Sequence, residues 1–292
     1  MTDEVNTPAH YTQGGIECID AIEAQLTKTE FIGFLRGQIT KYNWRMGLKG
    51  SVLVDAQKCQ WYCNKLNTVL TNEQPVQVQP LSKYKLTEGT KQHEGITLYR
   101  IQALRDIPSM GVKAGDLGGW VESISNLSQE GNAWVYGDAL VYGNAKVRGE
   151  AQVYGNAQVY GNAWVYGYAK VYRNAWVGED AEVSGDAEVS GNVMVYRNAK
   201  VFGNAEVSGD AKVYGNAMVS QDAKVLGNAK VYGKAKVYGN ALVLGNARVL
   251  GDAEVYDNAW VSGNAEVFGN AWVYGDAKVY GDAEVSNGEI NE

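Results

Sequence analysis

The chain reads as an α+β multidomain protein: a small N-terminal α-helical domain, a short β cap, and a C-terminal parallel β-helix with three hexads in each coil. Three observations predict this. A six-residue repeat runs without insertion from Gly131 to Ser286. Apolar residues at helical spacing, behind a helix-start signal, occupy the N-terminal quarter. A polar stretch with a proline at each end, Pro75 to Pro80, separates the helical pattern from strand-like segments. The boundaries that follow are residues 1–72 for the helical domain, 73–81 for a linker, 82–130 for a β connector, 131–286 for the β-helix and 287–292 for a tail.

The repeat has the form GNAWVY, and 26 copies follow one another. The fifth position is Val in all 26, the third is Ala in 25, the second is Asn or Asp in 23 and the first is Gly in 21. Alternation fixes what these choices mean, because successive side chains of a strand point to opposite faces. Ala and Val share the inner face. Positions four and six, with Trp, Lys, Glu, Gln, Tyr and Ser, face outward. Gly followed by Asn or Asp suits a corner that needs positive φ. A strand this short cannot bury its apolar face alone, so coils must stack. Three hexads closing a triangle give the 18-residue coil, and at roughly 4.8 Å per stacked strand the prism is about 40 Å long. Asn and Asp then form ladders along the corners.

The outer columns carry aromatics. Tyr142, Tyr160, Tyr196, Tyr214, Tyr232 and Phe268 recur every third hexad at position six, interrupted by Gly178 and Leu250. They form a candidate self-association stripe; the β-propensity of Tyr is the plain alternative. Other chemistries are excluded. Acyl transfer on such a scaffold needs a general base and an inserted loop, yet both histidines, His10 and His93, precede the repeats, which carry no insertion. No Thr lies between residues 131 and 286, against an ice-binding array, and the corner carboxylates lack a calcium-binding pattern.

Charge bounds the partners. The formal net charge is −7, and residues 131–292 carry 13 Lys/Arg against 19 Asp/Glu. General nucleic-acid binding is therefore not expected, and neither is attachment to an anionic membrane. Cys18, Cys59 and Cys63 are too few for a disulfide framework, and Cys59 with Cys63 lacks two further ligands for a metal. No metal site is expected. The N-terminus shows no signal-peptide pattern and no apolar run is long enough to span a bilayer, which points to a cytoplasmic protein.

In the helical domain, Thr27 and Glu30 form a capping-box signature before Phe31, Phe34, Leu35 and Ile39. The pattern predicts one helix over Ile16 to Leu26, a second from Thr27, and a third from Ser51 to about Leu70. Lys41, Arg45 and Lys49 recur every four residues and share a face if the second helix reaches that far, with Tyr42 and Trp44 between them. Cations beside aromatics suit a nucleotide, its phosphates on the charges and its base on a ring. The alternative is a solvated basic face pairing with Glu17, Asp20 or Asp55. Between the domains, the connector segments KYKL, ITLYRIQAL and VKAGDLGGWVES read as strands that cap the first coil and hide its open edge.

Two resemblances add to this. The hexads resemble the left-handed hexapeptide-repeat β-helix family, although Gly here stands two residues after Val instead of directly after it. That likeness implies a homo-oligomer, a trimer by preference. The string His10-Tyr11, Gly14-Gly15-Ile16-Glu17, Ile19-Asp20, Phe31, Gly33-Phe34, Gly37, Lys41-Tyr42, Trp44-Arg45 and Lys49, continuing through Asp55, Lys58, Trp61 and Tyr62, resembles a small phage-encoded domain of unknown function often described as a nucleotide kinase. Val54 stands where that family has an acidic residue. The likeness spans residues 8–66 and implies a bacteriophage accessory protein, working in the host cytoplasm, with a nucleotide ligand at Lys41, Tyr42, Arg45 and Lys49 and with His10 as an accessory. A kinase would also need magnesium and catalytic groups, for which His10, Glu17 and Asp20 are the candidates. No P-loop is present to cradle phosphates. The third reading is a non-enzymatic interaction protein that sequesters a host defence component.

Overall fold

The computed structural model describes residues 17–71 and 82–292. His10 and the linker expected at 73–81 lie outside the described residues. The chain divides into two compact units, Met1–Pro80 and Leu81–Glu292.

The first unit holds α1 (Cys18–Gln25), α2 (Lys28–Arg45) and α3 (Val52–Thr71). Thr27 caps α2 as its sequence predicts: the Glu30 amide donates to Thr27 Oγ1 at 3.4 Å while the Thr27 amide donates to Glu30 Oε2 at 2.9 Å. Phe31, Leu35 and Tyr42, at helical spacing on α2, are its buried apolar residues. Helix α2 stops at Arg45, one turn short of Lys49. Gly47 and Gly50, with φ of 81° and 82°, turn the chain out of the helix there.

The second unit is a parallel β-solenoid. Its repeat strands pair in register three hexads apart, as in Val171 with Val189 and Val189 with Val207. They form three sheets of 12, nine and nine strands. Face one runs from Leu140–Val141 to Glu284–Val285, face two from Trp134–Val135 to Lys278–Val279, and face three from Lys146–Val147 to Glu289–Ile290. The interior is as the alternation demands: every Ala and Val from Ala133 to Ala277 at positions three and five is fully buried, Val193 included. In the first hexad the amides of positions two, four and six donate to the next coil, Asn132 to Gly149, Trp134 to Ala151 and Tyr136 to Val153 at 2.8–3.0 Å, and most later hexads repeat the pattern. Backbone pairing between coils offsets the entropy of ordering so small a core.

The corners follow the same direction. Asn144 donates to Asn162 and Asn162 to Asp180; Asn156 to Asn174, Asn174 to Asn192 and Asn192 to Asp210; Asn228 to Asn246, Asn246 to Asn264 and Asn264 to Asp282, all at 2.7–3.2 Å. Each run ends at Asp because a carboxylate accepts but has no N–H to pass on. The first corner residue is left-handed throughout. Arg173, Glu179, Arg197, Gln221 and Asp257 stand at this position with φ between 55° and 61°, a conformation L-residues avoid. Glycine is preferred for a second reason: a Cβ at Gly191 would lie 2.4 Å from the Gly209 carbonyl of the next coil.

The stacking starts before the repeat and continues past it. β1 (Tyr84–His93), β2 (Ile96–Ala103) and β3 (Leu117–Val121) extend face one, and Trp120–Val121 pairs with Leu140–Val141. Residues 287–292, expected as a tail, hold the strand Glu289–Ile290, which pairs with Trp272–Val273. Ile290 serves where Val serves elsewhere. The cap works through individual side chains. Lys83, fully buried, donates to the Ala133 carbonyl at 2.7 Å. The Tyr84 hydroxyl reaches the Ile124 and Leu127 carbonyls at 2.8 Å, and its ring stands edge-on to Trp134. Trp134 is 1% exposed, whereas the position-four Trp164, Trp176, Trp260 and Trp272 are 39–43% exposed; only the first lies beneath the cap. Gly118 and Gly119 permit the approach, since a Cβ on either would come within 2.6 Å of Val135.

Candidate functional site

The helical unit gathers positive charge around one tyrosine. The Tyr42 ring, 7% exposed, stacks on Tyr62 at 5.6 Å. Arg45, Lys41 and Lys58 approach the Tyr42 ring at 4.6, 5.1 and 5.9 Å from its centroid. Lys41 and Arg45 come from α2, and Lys58 comes from α3, packed against it. A ring face attracts cations, and each such contact contributes about 0.5–1 kcal/mol where exposed.

One carboxylate answers the Arg45 guanidinium. Asp55, 2% exposed on α3, accepts from Arg45 Nε at 3.0 Å and from its terminal nitrogen at 2.6 Å, both through Oδ1. That bond holds the Arg45 guanidinium above its already high pKa. The other oxygen of Asp55 is buried and has no hydrogen-bond partner. Among the described residues, Lys41 and Lys58 make no ion pair. The arrangement is an Arg–Asp pair flanked by two ammonium groups that have no ion pair among the described residues.

The residues singled out by sequence divide accordingly. Lys41, Tyr42 and Arg45 are brought together as their spacing predicts. Lys49 is not: it is exposed in the turn beyond α2 and joins no part of the cluster. Tyr42 serves as the floor beneath the cations, since its stacking on Tyr62 and its burial leave no free face for a base. Arg45 takes the Asp55 pairing that the basic-face reading foresaw. Lys58 completes the cluster; its signal was its place three residues after Asp55 on α3, so both turn toward α2. Trp44 is 81% exposed and three residues from Lys41 on the same helix.

The candidate catalytic groups do not converge on this cluster. Glu17 stands at the N-terminus of α1, where its carbonyl accepts from Asp20 and Ala21. Asp20 and Glu23 both face Lys65, at 3.8 and 2.7 Å, the structural alternative to holding magnesium. Among the described residues no three His, Cys, Asp or Glu side chains group as metal ligands. Cys59 and Cys63 are partly buried, and burial raises the Cys63 thiol pKa.

On the solenoid, Tyr142, Tyr160, Tyr196, Tyr214, Tyr232 and Phe268 occupy one column of face one, each half-buried. Their rings lie flat on one another: Tyr142 on Tyr160 at 5.6 Å, Tyr196 on Tyr214 at 5.0 Å and Tyr214 on Tyr232 at 4.8 Å. Gly178, which has no ring, breaks the stack, and the Tyr160 ring lies over the space its side chain would fill. The other faces hold equivalent stacks, Tyr154 on Tyr172 and Tyr238 on Tyr256 on Tyr274. No helix of the described residues is long and apolar enough to cross a membrane.

Comparison with known families bears on both units. Residues 5–64 match a family model described as a protein of unknown function (DUF3310). Residues 151–167 and 157–173 match the YdcK β-solenoid repeat. The two matches describe a fusion of a small domain with a β-solenoid. No curated protein matches the chain. The DUF3310 match takes in α1, α2 and most of α3, and with them Lys41, Tyr42, Arg45, Asp55 and Lys58.

Proposed function

We infer that the helical unit binds a phosphate-bearing nucleotide and that the solenoid is a scaffold through which copies of the chain associate. One observation carries the first part: three cations meet at the Tyr42 ring with one carboxylate between them, leaving Lys41 and Lys58 to take an anion. In this reading Lys41 and Lys58 hold the phosphates, the Arg45–Asp55 pair orients Tyr42 beneath them, and Trp44, exposed beside Lys41, offers the ring on which a base stacks. The scaffold reading is supported by the uninterrupted repeat and by the stacked aromatic columns on its outer faces. Association through the solenoid places more than one helical unit in a single assembly. The likeness to phage-encoded proteins supports an accessory role in a host cytoplasm.

The test is calorimetric titration of the full chain with nucleoside mono-, di- and triphosphates. Binding is expected to strengthen with phosphate number and to weaken at least tenfold in Lys41→Glu and in Lys58→Glu. Lys49→Glu is expected to change it less than twofold, because Lys49 stands outside the cluster. Absence of binding by the unaltered chain for every nucleotide would overturn the reading.

A further inference from the structure

The outer surface of the solenoid repeats one small device. A Tyr at position six reaches the position-four residue of the next coil. The Tyr172 hydroxyl bonds Glu188 at 3.3 Å, and Lys170 pairs with the same Glu188 at 2.8 Å. The Tyr238 hydroxyl bonds Glu254 at 2.9 Å, and Lys236 pairs with that Glu254 at 2.8 Å. Each is a Lys–Glu–Tyr triad in which one acid answers two donors. Elsewhere on these two faces Glu182 pairs with Lys200 and Glu206 with Lys224.

Face one departs from this. In the corresponding places, one coil on from Tyr196, Tyr214 and Tyr232, stand Lys212, Lys230 and Arg248. They stack directly, Lys212 on Lys230 and Lys230 on Arg248. Like charges opposed in a ladder destabilise it. Among the described residues Lys212 and Lys230 have no ion pair, and none of the three tyrosine hydroxyls has a hydrogen bond. At Lys212 and Lys230 the strip supplies donors and lacks the acid that the other triads contain. Farther along the same column the sign reverses: Glu266, paired with Arg248 at 2.8 Å, stacks on Glu284. Glu284 is exposed and has no paired cation among the described residues.

What supplies carboxylates at one per coil, about 4.8 Å apart, is another ladder of the same kind. We propose that face one is the contact surface between two copies of this chain, packed antiparallel about a two-fold axis that passes between the Arg248 and Glu266 coils. The axis runs along the strands, so position four meets position four and each coil meets its reflection in height. Arg248 then meets the partner's Glu266, and Lys230 meets the partner's Glu284. In the neighbouring column Leu250 meets the partner's Phe268 across the axis. Both pairs occur twice, as an isologous contact requires. A parallel two-fold of face one against itself would set the cationic coils at equal height and oppose like charges, which the antiparallel two-fold avoids. The overlap is about four coils, a small contact of the weak, transient class, so association is expected at high protein concentration and low salt.

The proposal deepens the scaffold reading and is independent of nucleotide binding. Sedimentation equilibrium of the full chain at low ionic strength tests it. A monomer–dimer equilibrium is expected. Lys230→Glu and Glu284→Lys should each weaken it at least tenfold, and the double variant Lys230→Glu/Glu284→Lys should return to within about threefold of the original. Circular dichroism checks that each variant keeps the fold, and nucleotide titration should be unchanged in all three; loss of nucleotide binding by the unaltered chain would bear only on the helical unit. A chain that remains monomeric, an association indifferent to both single changes, or a double variant without recovery would each overturn the proposal. So would a monomer that captures an oligonucleotide through Lys212 and Lys230, which would make the missing acid a polyanion.

Discussion

The cap and the body of the solenoid solve the same problem by opposite means. In the body, a residue's task follows from its place in the hexad. Val at position five fills the interior, runs of Asn at position two pass a hydrogen bond along the corner, and many copies share each task. In the cap no task is shared. One lysine serves the Ala133 carbonyl, one tyrosine spans two carbonyls and one Gly-Gly pair lets β3 approach Val135. Repetition makes most positions individually dispensable, while an end has only one copy of each contact.

Four substitutions, at three kinds of position, would sharpen or break this contrast. The largest effect is expected from placing a charge inside the body. Val213→Asp buries a carboxylate with no partner and should cost roughly 4 kcal/mol or more, read as a lower denaturant midpoint and a loss of cooperativity as the rod divides at that coil.

The next is in the cap and depends on pH. Burial, with Arg105 nearby, lowers the Lys83 pKa from its usual 10.5 to about 8. The folded chain sheds this proton near pH 8, while the unfolded chain keeps it to about 10.5. Between those values the unfolded state binds more protons, so stability should rise with pH, by an amount on the order of 3 kcal/mol. Above about pH 10 the trend should reverse, because burial raises the Tyr136 and Tyr142 pKa values to about 12 and the unfolded tyrosines ionise first. Lys83→Met should abolish the rise and leave the later fall, as thermal unfolding across this range would show.

The smallest effects belong to the corners, where tasks are shared. Asn174→Asp removes the donor to Asn192 and sets two acceptors face to face, a loss of about 1 kcal/mol. Asp210→Asn should act in reverse. It gives the run ending at Asp210 a donor toward Asn228 and joins two ladders, a gain of a few tenths to about 1 kcal/mol. If the two changes have the same sign, the directional account of the ladder is wrong.

The candidate site was only partly legible in advance. Four-residue spacing brought Lys41 and Arg45 together, because both lie within α2. It failed at Lys49, where Gly47 and Gly50 end the helix first. Local spacing puts Lys58 on the same face of α3 as Asp55, but its nearness to Tyr42 depends on how α3 packs on α2. The aromatic column was legible because a coil of three hexads is an arithmetic consequence of the repeat. The missing acid beside it was not, because the contact from a Tyr to position four of the next coil is seen only once the coils are stacked.

The sequence by itself determined the solenoid: alternation assigns inside and outside, Gly and Asn assign corners, and a period of six leaves stacking as the way to bury the valines. Tertiary structure alone decided where the stacking begins and ends. Trp120 joins Leu140, and Ile290 joins Val273, at spacings that are not multiples of the hexad. Such spacings follow no repeat, because an end is fitted by the shape and hydrogen bonding of particular side chains and not by a period.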